Sequence, residues 1–381
     1  MKYVIIRCED GVAFDGKSAA LLDGAKTAFL QQLAQAGAAG FVRRYAGSRI
    51  INRIAVQRGL LGLELKRQEP AEGQCYAASV NLKLAEGETV WCCDFVTQHD
   101  GIIVDPDAGH ITTKESALLI QALNMQLGSE TRRWEVGSGS HQLFITHDPA
   151  LKADPSAWIP SPELMTGDAW KNHVPRQAVA EAARLLVEQA QDVLEHHPVN
   201  RVRLDLNENP ANFMWLWGGA TLEAQTSFKQ RTGISGAVIS HSFPLRGLAK
   251  TLALEWKAGP AVLDEVSIDR VAKDVSQLLL QNDLVYVHFR VTSDDPVQRL
   301  CAMERIDQRL LKPLSEQLRG MKNWRLLTAV DDRIAGLVPF VAIGSGLPQQ
   351  PVAQLHERGV EESPLSFTDS AGLFTWFTQH A

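Results

Sequence analysis

The sequence lacks any apolar segment long enough to cross a membrane. A spanning helix needs roughly 20 consecutive apolar residues, and charged or strongly polar side chains interrupt every stretch of that length. The N-terminus, MKYVIIRCEDG, begins directly with a strand-like pattern and shows neither the apolar segment nor the cleavage site of a signal peptide. We therefore expect no membrane contact and a cytoplasmic location.

Cysteine is scarce, and basic charge is not in excess. The five cysteines, Cys8, Cys75, Cys92, Cys93 and Cys301, form an odd set without the spacing of a metal-binding motif. Reduced thiols in the cytosol fit this pattern best. The net charge is −6 with both signs scattered along the chain, so no basic stripe can neutralise a phosphate backbone. We expect no nucleic-acid partner.

The length of the chain favours two domains. At 381 residues it exceeds the size at which single hydrophobic cores stop growing. The composition turns polar over residues 69–73, and the Pro-, Ser- and Asp-rich residues 154–174 have the character of a hinge. We predict a core formed by residues 1–68 and 172–381, with a small α/β or α+β domain, residues 69–171, inserted in it.

Short apolar runs alternate with amphipathic segments, which is typical of an α/β fold with a mainly parallel sheet and helices on both faces. Helical spacing of apolar residues predicts helices over residues 27–36, 112–127, 177–196 and 296–318. Runs rich in β-branched and aromatic residues predict strands over residues 3–8, 40–42, 75–84, 89–98, 101–106, 132–139, 141–148, 199–206, 234–239, 284–289, 324–329 and 338–343.

Two polar residues are candidates for chemistry on position alone. Asp10 follows the first predicted strand at its carboxyl end, the edge at which open α/β sheets bind ligands, although an Asp that caps a turn has the same pattern. Ser48 ends the small-residue turn Tyr45-Ala46-Gly47-Ser48, where it can be a helix N-cap or an activated nucleophile. Position alone leaves both interpretations of each residue open.

Four longer segments carry a family resemblance. The runs DFVTQHDGIIVDPDAGHITTKESALLIQALN, NPANFMWLWGG, GISGAVISHSFPLRGLAK and VYVHF followed by MERIDQRLLKPL resemble, in the same order, the archaeal-type cofactor-independent phosphoglycerate mutases of the alkaline phosphatase superfamily. The resemblance implies an alkaline-phosphatase-like core, two divalent metals and a serine that transiently takes the phosphoryl group. It also implies interconversion of 2- and 3-phosphoglycerate, a step of glycolysis, without 2,3-bisphosphoglycerate.

The resemblance places several metal and catalytic positions on this chain. Asp10 matches the first metal-binding Asp, Ser48 the nucleophile, and Asn52 a substrate-binding position. Asp331 matches the Asp of an Asp-His metal pair, and Asp332 stands in place of the His. A carboxylate still suits a hard cation such as Mn²⁺ or Mg²⁺. The resemblance therefore implies one divalent metal site, at which Asp10, Ser48 and Asp331 should converge.

The second metal site departs from the family pattern. Ser293 and Val297 occupy the positions of its Asp and His ligands, and Asp294 is the neighbouring carboxylate that could substitute. The final His of the family is missing beyond Asp332, because the chain continues within a few residues into Val338. The resemblance therefore implies one metal rather than two.

The substrate-binding positions differ as well. Cys92-Cys93-Asp94-Phe95 stands where the family has Arg-Cys-Asn-Phe, and His141 stands in place of an Arg. Neither Cys nor His reproduces the bidentate fork with which Arg binds phosphate or carboxylate. The segment Asp107-Ala108-Gly109-His110 is retained, with His110 either contacting substrate or capping the next helix.

Two functional hypotheses follow. In the first, the chain is a degenerate mutase homologue that binds a small phosphorylated metabolite or an unknown protein partner and is inactive or weak as a mutase. In the second, it is an active metal-dependent mutase or phosphotransferase of altered specificity, with a phosphoserine intermediate at Ser48. The stoichiometry of bound metal discriminates between them.

Overall fold

The computed structural model describes the chain except for residues 11–25, 44, 47–48, 51–52, 64–71, 155–156, 222–224, 292, 294, 331–335, 356 and 380–381. The chain divides into two compact units. The first comprises Met1–Leu65, Thr226–Ser242 and Ala249–Ala381. The second comprises Lys66–Gln225 and Phe243–Leu248.

The first unit is a mainly parallel α/β structure. Its strands are β1 (Lys2–Glu9), β2 (Ala38–Arg43), β3 (Tyr45–Ala46), β4 (Arg49–Ile50), β10 (Gly236–Ser240), β11 (Glu255–Ala258), β12 (Leu284–Arg290), β13 (Trp324–Val330), β14 (Leu337–Gly344) and β15 (Ser366–Phe367). Eight of them form one sheet in the order β11-β10-β12-β1-β13-β14-β2-β15. Only the pairs that involve β14 are antiparallel in this sheet. The predicted mainly parallel sheet is confirmed.

Helices cover both faces of this sheet. They are α1 (Ala28–Ala36), α2 (Arg53–Gly59), α7 (Phe228–Thr232), α9 (Glu265–Gln281), α10 (Pro296–Ile306), α11 (Lys312–Arg319), α12 (Glu357–Glu361) and α13 (Ser370–Gln379), with a π-helical turn, Asp307–Leu311, between α10 and α11. Val4 and Ile6 of β1 belong to a core cluster with residues of α1 and α9. Tyr3, which points to the other face, contacts Phe377 of α13 at 5.8 Å between ring centroids.

The second unit is built on an antiparallel sheet. Its strands are β5 (Thr89–His99), β6 (Ile102–Asp105), β7 (Arg132–Ser138), β8 (His141–Thr146) and β9 (Phe213–Thr221). They follow the order β6-β5-β8-β7, and β9 pairs with β5. Its helices are α3 (Glu72–Ser79), α4 (Thr113–Leu127), α5 (Ala178–Glu195), α6 (Pro198–Asp205) and the first part of α8 (Phe243–Thr251). This unit is therefore of the α+β type.

The outer strand β7 is tied to helix α4 by one side-chain amide. The Nδ2 of Asn124 donates to the carbonyl oxygen of Trp134 at 2.8 Å. The backbone N–H of Trp134 donates to the Oδ1 of Asn124, also at 2.8 Å. Asn124 thus satisfies both backbone groups of a residue in the terminal strand of the sheet.

Two predicted strands are wrong, because one segment begins within a helix and the other lies largely in one. Residues 75–84 contain the end of the helix α3, in which Cys75, Tyr76 and Ala77 are all buried. Residues 199–206 lie largely in α6, which starts with His197 as N-cap and Pro198 in its first turn. These two signals for a helix start outweigh the period-two alternation of apolar and polar residues that favoured a strand.

The predicted hinge and the second domain boundary also differ from the structure. The hinge segment packs into the second unit, where Trp170 is buried and the indole N–H of Trp215 donates to the carbonyl of Pro160 at 2.8 Å. Residues 172–225, which the sequence assigned to the core, belong to the second unit. The reason is the pairing of β9 with β5, along Thr89–Val96.

Candidate functional site

Buried polar side chains converge where β1, β10 and β12 end in the first unit. Arg7 is fully buried, and its Nη2 lies 3.1 Å from the Oε1 of Glu9. The parallel register places Arg7 beside His288 and Glu9 beside Arg290. These side chains share one face of the sheet, opposite the apolar face formed by Val4 and Ile6.

His288 links Glu9 to the end of β10. Its Nε2 lies 3.2 Å from the Oε2 of Glu9, and its Nδ1 lies 2.8 Å from the Oγ of Ser240. The amide of Gln57, on α2, donates to the Oε1 of Glu9 at 2.9 Å. Ser240 Oγ in turn accepts from the backbone N–H of Ser242 at 3.0 Å. Because each of these groups is desolvated, the hydrogen bonds hold the strand ends in one arrangement.

Asp10 lies at the end of β1 next to a guanidinium group. Its side chain is 2% exposed, and its Oδ2 is 3.8 Å from the Nε of Arg290, whose side chain is 30% exposed. The backbone of Asp10 has a left-handed φ of 57°, a conformation that costs a non-glycine residue about 1 kcal/mol or more. The backbone N–H of Val291 donates to the carbonyl of Glu9 at 2.9 Å, which ties the end of β12 to this turn.

Most residues predicted for catalysis and metal binding, and one predicted for substrate binding, lie outside the described part of the chain. This holds for Ser48, Asn52, Asp294, Asp331 and Asp332. The predicted convergence of Asp10, Ser48 and Asp331 therefore stays a prediction. Asp10 is the one candidate metal ligand that the structure describes, and it lies at the carboxyl end of a parallel strand, as expected from the sequence.

The described positions of the second metal site take part in the start of α10. Asp295 is the N-cap of this helix, and its Oδ1 accepts from the backbone N–H of Val297 at 2.9 Å. The hydroxyl of Ser293 donates to the side chain of Gln298 at 2.8 Å. Val297 has no ligating atom and is 64% exposed. These side chains therefore cap a helix where the family pattern has metal ligands.

A divalent cation fits Asp10 in its chemistry. A carboxylate is a preferred ligand of hard cations, although the guanidinium of Arg290 already lies beside this carboxylate. Within the described residues, no group of three His, Cys, Asp or Glu side chains is arranged to hold a metal. The described residues therefore supply one carboxylate of the predicted metal site, Asp10, and do not by themselves make up a site for one or two metals.

The second unit contains a separate polar network around Asp94. The carboxylate of Asp94 accepts from the indole N–H of Trp217 at 2.8 Å and from the hydroxyl of Tyr76 at 3.2 Å. The Nδ1 of His141 lies 3.0 Å from Asp94 and 2.9 Å from the Tyr76 oxygen. The ring of His141 stacks on Phe243, with 6.0 Å between centroids. His141, a predicted substrate-binding residue, thus has one ring nitrogen directed to a buried carboxylate.

Burial changes the acidity of groups in this network. Desolvation, followed by the nearby Asp94 charge, raises the pKa of the Tyr76 hydroxyl well above its ordinary value. The same two causes raise the pKa of the Cys92 and Cys93 thiols. Tyr76 is therefore a neutral hydrogen-bond donor, and the cysteines are neutral apolar side chains.

His110 is presented on a turn held by other side chains. The turn has left-handed φ values at Ala108 (48°), Gly109 (62°) and His110 (53°). Asp105 accepts from the backbone N–H of Gly109 at 2.8 Å, and Arg203 donates to the carbonyl oxygens of Ala108 and Gly109 at 3.0 and 2.9 Å. His110 itself is exposed.

The helix after this turn has a different cap. Thr112 forms a capping box with Glu115 at the start of α4. The interpretation of His110 as the cap of this helix is therefore wrong. His110 remains a candidate for substrate contact.

Sequence reasoning missed the network of Arg7, Glu9, His288 and Ser240. Each of these residues stands in or at the end of an apolar run that predicted a buried strand. A polar residue inside a buried strand needs a partner, because burying an unpaired polar group is costly. That signal was available, although the partners could not be assigned without the register of the strands.

Comparisons with known proteins agree on one family. Residues 57–200 match the family model described as 2,3-bisphosphoglycerate-independent phosphoglycerate mutase. The protein of that name from Methanothrix thermoacetophila is 29% identical over 383 residues, covering 95% of each chain. The 2,3-bisphosphoglycerate-independent phosphoglycerate mutase 2 from Methanothermobacter thermautotrophicus is also 29% identical, over 96% of this chain and 94% of that protein. The solved cofactor-independent phosphoglycerate mutase from Thermoplasma acidophilum has a TM-score of 0.57 at 21% identity, and both chains are covered completely.

The fold is an α/β fold of the alkaline-phosphatase-like type, with a mainly parallel sheet. Over nearly its whole length, the chain is similar to 2,3-bisphosphoglycerate-independent phosphoglycerate mutases. The resemblance inferred from the sequence is thereby confirmed. In the described part of the chain, no helix is long and apolar enough to span a membrane.

Proposed function

We propose that this phosphoglycerate mutase-like protein has a degenerate metal site, is inactive or weak as a mutase, and acts by binding a small phosphorylated metabolite or a protein partner. The observation that carries the proposal is the start of α10. Asp295 caps the helix and Val297 is a solvent-exposed apolar residue, where the family pattern supplies ligands for a second cation. Two-metal catalysis needs both cations to stabilise the attacking and leaving oxygens.

The second unit supports the same proposal. Cys92 is fully buried and its thiol is neutral, because desolvation raises its pKa. His141 directs one ring nitrogen to the carboxylate of Asp94. The negative charge of this carboxylate offsets any positive charge on the imidazole ring, so the pair has no excess positive charge for an anionic substrate. These residues stand where the family pattern has two arginines. Anchoring of the phosphate and carboxylate of phosphoglycerate is correspondingly weaker.

A coupled enolase assay with Mn²⁺ or Mg²⁺ tests the proposal. We expect conversion of 3- to 2-phosphoglycerate well below about 1 per second, without rescue at high substrate concentration. Ser48→Ala is the matched control. Turnover at or above that rate which Ser48→Ala abolishes would establish the alternative, an active enzyme with a phosphoserine intermediate. The retention of Asp10 at the end of β1 is the observation that favours this alternative.

Binding is measured separately from turnover. Calorimetric titration with 3-phosphoglycerate, in the presence and absence of Mn²⁺, reports whether the chain retains a site for this metabolite. Binding without turnover supports the metabolite-binding form of the proposal. Absence of both directs the search to a protein partner.

A further inference from the structure

The carboxylate of Asp94, on β5, is a buried acceptor in the second unit. Its side chain is 2% exposed. The indole N–H of Trp217, on β9, donates to Oδ2 at 2.8 Å, and the hydroxyl of Tyr76, on α3, donates to Oδ1 at 3.2 Å. An indole nitrogen can only donate, so Oδ2 acts as an acceptor. Three different elements of the unit therefore hold one negative charge in a fixed place.

His141, on β8, is the most exposed member of this cluster. Its side chain is 26% exposed, whereas Tyr76, Asp94 and Trp217 are buried. Its Nδ1 lies 3.0 Å from the Oδ1 of Asp94, and its ring is nearly parallel to that of Phe243, with 10° between the planes. A carboxylate oxygen can only accept, so this nitrogen carries the hydrogen. The antiparallel register, which places Asp94 opposite His141, fixes the arrangement.

A ligand that contacts the imidazole of His141 therefore has a carboxylate close by. The charges of an imidazolium and a carboxylate cancel, and a neutral imidazole leaves the negative charge of Asp94 uncompensated. In neither state does the pair attract an anion. A second carboxylate at this place is repelled, because Coulomb interactions are stronger in partly desolvated surroundings than in water. An uncharged hydroxyl group can exchange hydrogen bonds with the imidazole without that repulsion.

We propose that Asp94 is a specificity-determining residue, which disfavours an anionic group of the ligand at His141 and selects a phosphorylated polyol over a phosphorylated hydroxy acid. The two classes differ at one carbon, which bears a hydroxyl in the first and forms a carboxylate in the second. The inference rests on the proposed function in taking a small phosphorylated metabolite as the ligand and His141 as part of its site.

Calorimetric titration of the full chain with 3-phosphoglycerate and with glycerol 3-phosphate tests the inference. The two ligands differ only in a carboxylate that replaces a hydroxymethyl group. The wild type should bind glycerol 3-phosphate more tightly. Asp94→Asn, which removes the charge and keeps the shape, should shift the ratio of the two affinities about tenfold toward 3-phosphoglycerate. Because both ligands are measured on the same protein, a loss of folded protein cancels in the ratio.

Glu88→Gln is the matched control. Glu88 is another buried carboxylate of the second unit, with a side chain 4% exposed, and it pairs with Arg133. Its replacement also removes one buried negative charge, yet it should leave the ratio of affinities unchanged. An equal shift in Glu88→Gln would reveal a general effect of net charge and would overturn the inference.

His141→Arg separates the charge of Asp94 from the protonation of the imidazole, because a guanidinium is always charged. With Asp94 retained, this variant should keep the preference for glycerol 3-phosphate, since the carboxylate cancels the new charge. Combined with Asp94→Asn, it should shift the ratio about tenfold toward 3-phosphoglycerate.

Three further results overturn the inference. They are binding of 3-phosphoglycerate by the wild type that is as tight as or tighter than that of glycerol 3-phosphate, an unchanged ratio in both variants with Asp94→Asn, and no binding of either ligand. The first needs no substitution, so it decides even if Asp94→Asn does not fold. A preference for 3-phosphoglycerate without turnover would leave the proposed function standing. Turnover in the enolase assay would remove the proposed function and leave the ratio of affinities measurable.

Discussion

Replacing Glu9 by Ala should destabilise the first unit strongly. Arg7 is fully buried and Glu9 nearly so, and their side chains are 3.1 Å apart. Removing one partner of a buried ion pair costs about 3–5 kcal/mol, because the remaining charge stays in a poorly solvated place. Gln57 and His288 lose an acceptor as well. We therefore expect a loss of about 4 kcal/mol in the free energy of unfolding.

Urea denaturation followed by circular dichroism measures this loss, and hydrogen exchange of the β1 amides assigns it to the first unit. Glu265→Ala is the matched control, because Glu265 pairs with Arg309 in the same unit while both side chains are substantially exposed. An exposed pair of this kind contributes about 0–1 kcal/mol. If Glu9→Ala and Glu265→Ala have similar effects, the buried network does not stabilise the strand ends and the reasoning is refuted.

Three further predictions concern the second unit. Because burial raises the pKa of Tyr76 and Cys92, the unfolded chain deprotonates these groups first. The urea midpoint should therefore fall as pH rises above roughly 9, and a constant midpoint between pH 8 and 10 would contradict this. Arg203→Met should cost about 1–3 kcal/mol by thermal or urea unfolding, since the carbonyl oxygens of Ala108 and Gly109 lose their donor. His110→Ala should change stability by less than about 0.5 kcal/mol while weakening metabolite binding in calorimetry, and unchanged binding would exclude substrate contact.

The parallel sheet could be predicted because its strands are buried on both faces. Runs such as residues 284–289 are nearly all apolar, and this pattern has few alternatives when polar turns bound it. The capping box of Thr112 and Glu115 could also be predicted from the sequence, because its two residues are only three positions apart. Features that depend on neighbours in the chain were therefore accessible to sequence reasoning.

Features that depend on residues far apart in the sequence were not accessible to sequence reasoning. The segment around Val202 and Leu204 alternates like a strand, yet both side chains are exposed on α6 while Arg203 is buried. The domain boundary was misplaced for a similar reason, since only the pairing of β9 with β5 assigns residues 172–225 to the second unit. Predicting the Glu9 network requires the register of three strands, which no local sequence pattern encodes.

Asn124 has a consequence for how the folded chain behaves at high concentration. The outermost strand of a sheet is a template onto which another polypeptide can add by backbone hydrogen bonding. Asn124 occupies both backbone groups of Trp134 in β7, so an incoming strand would have to displace an amide that already makes two good hydrogen bonds. The side chain of Asn124 thereby opposes the addition of another strand at this point of β7.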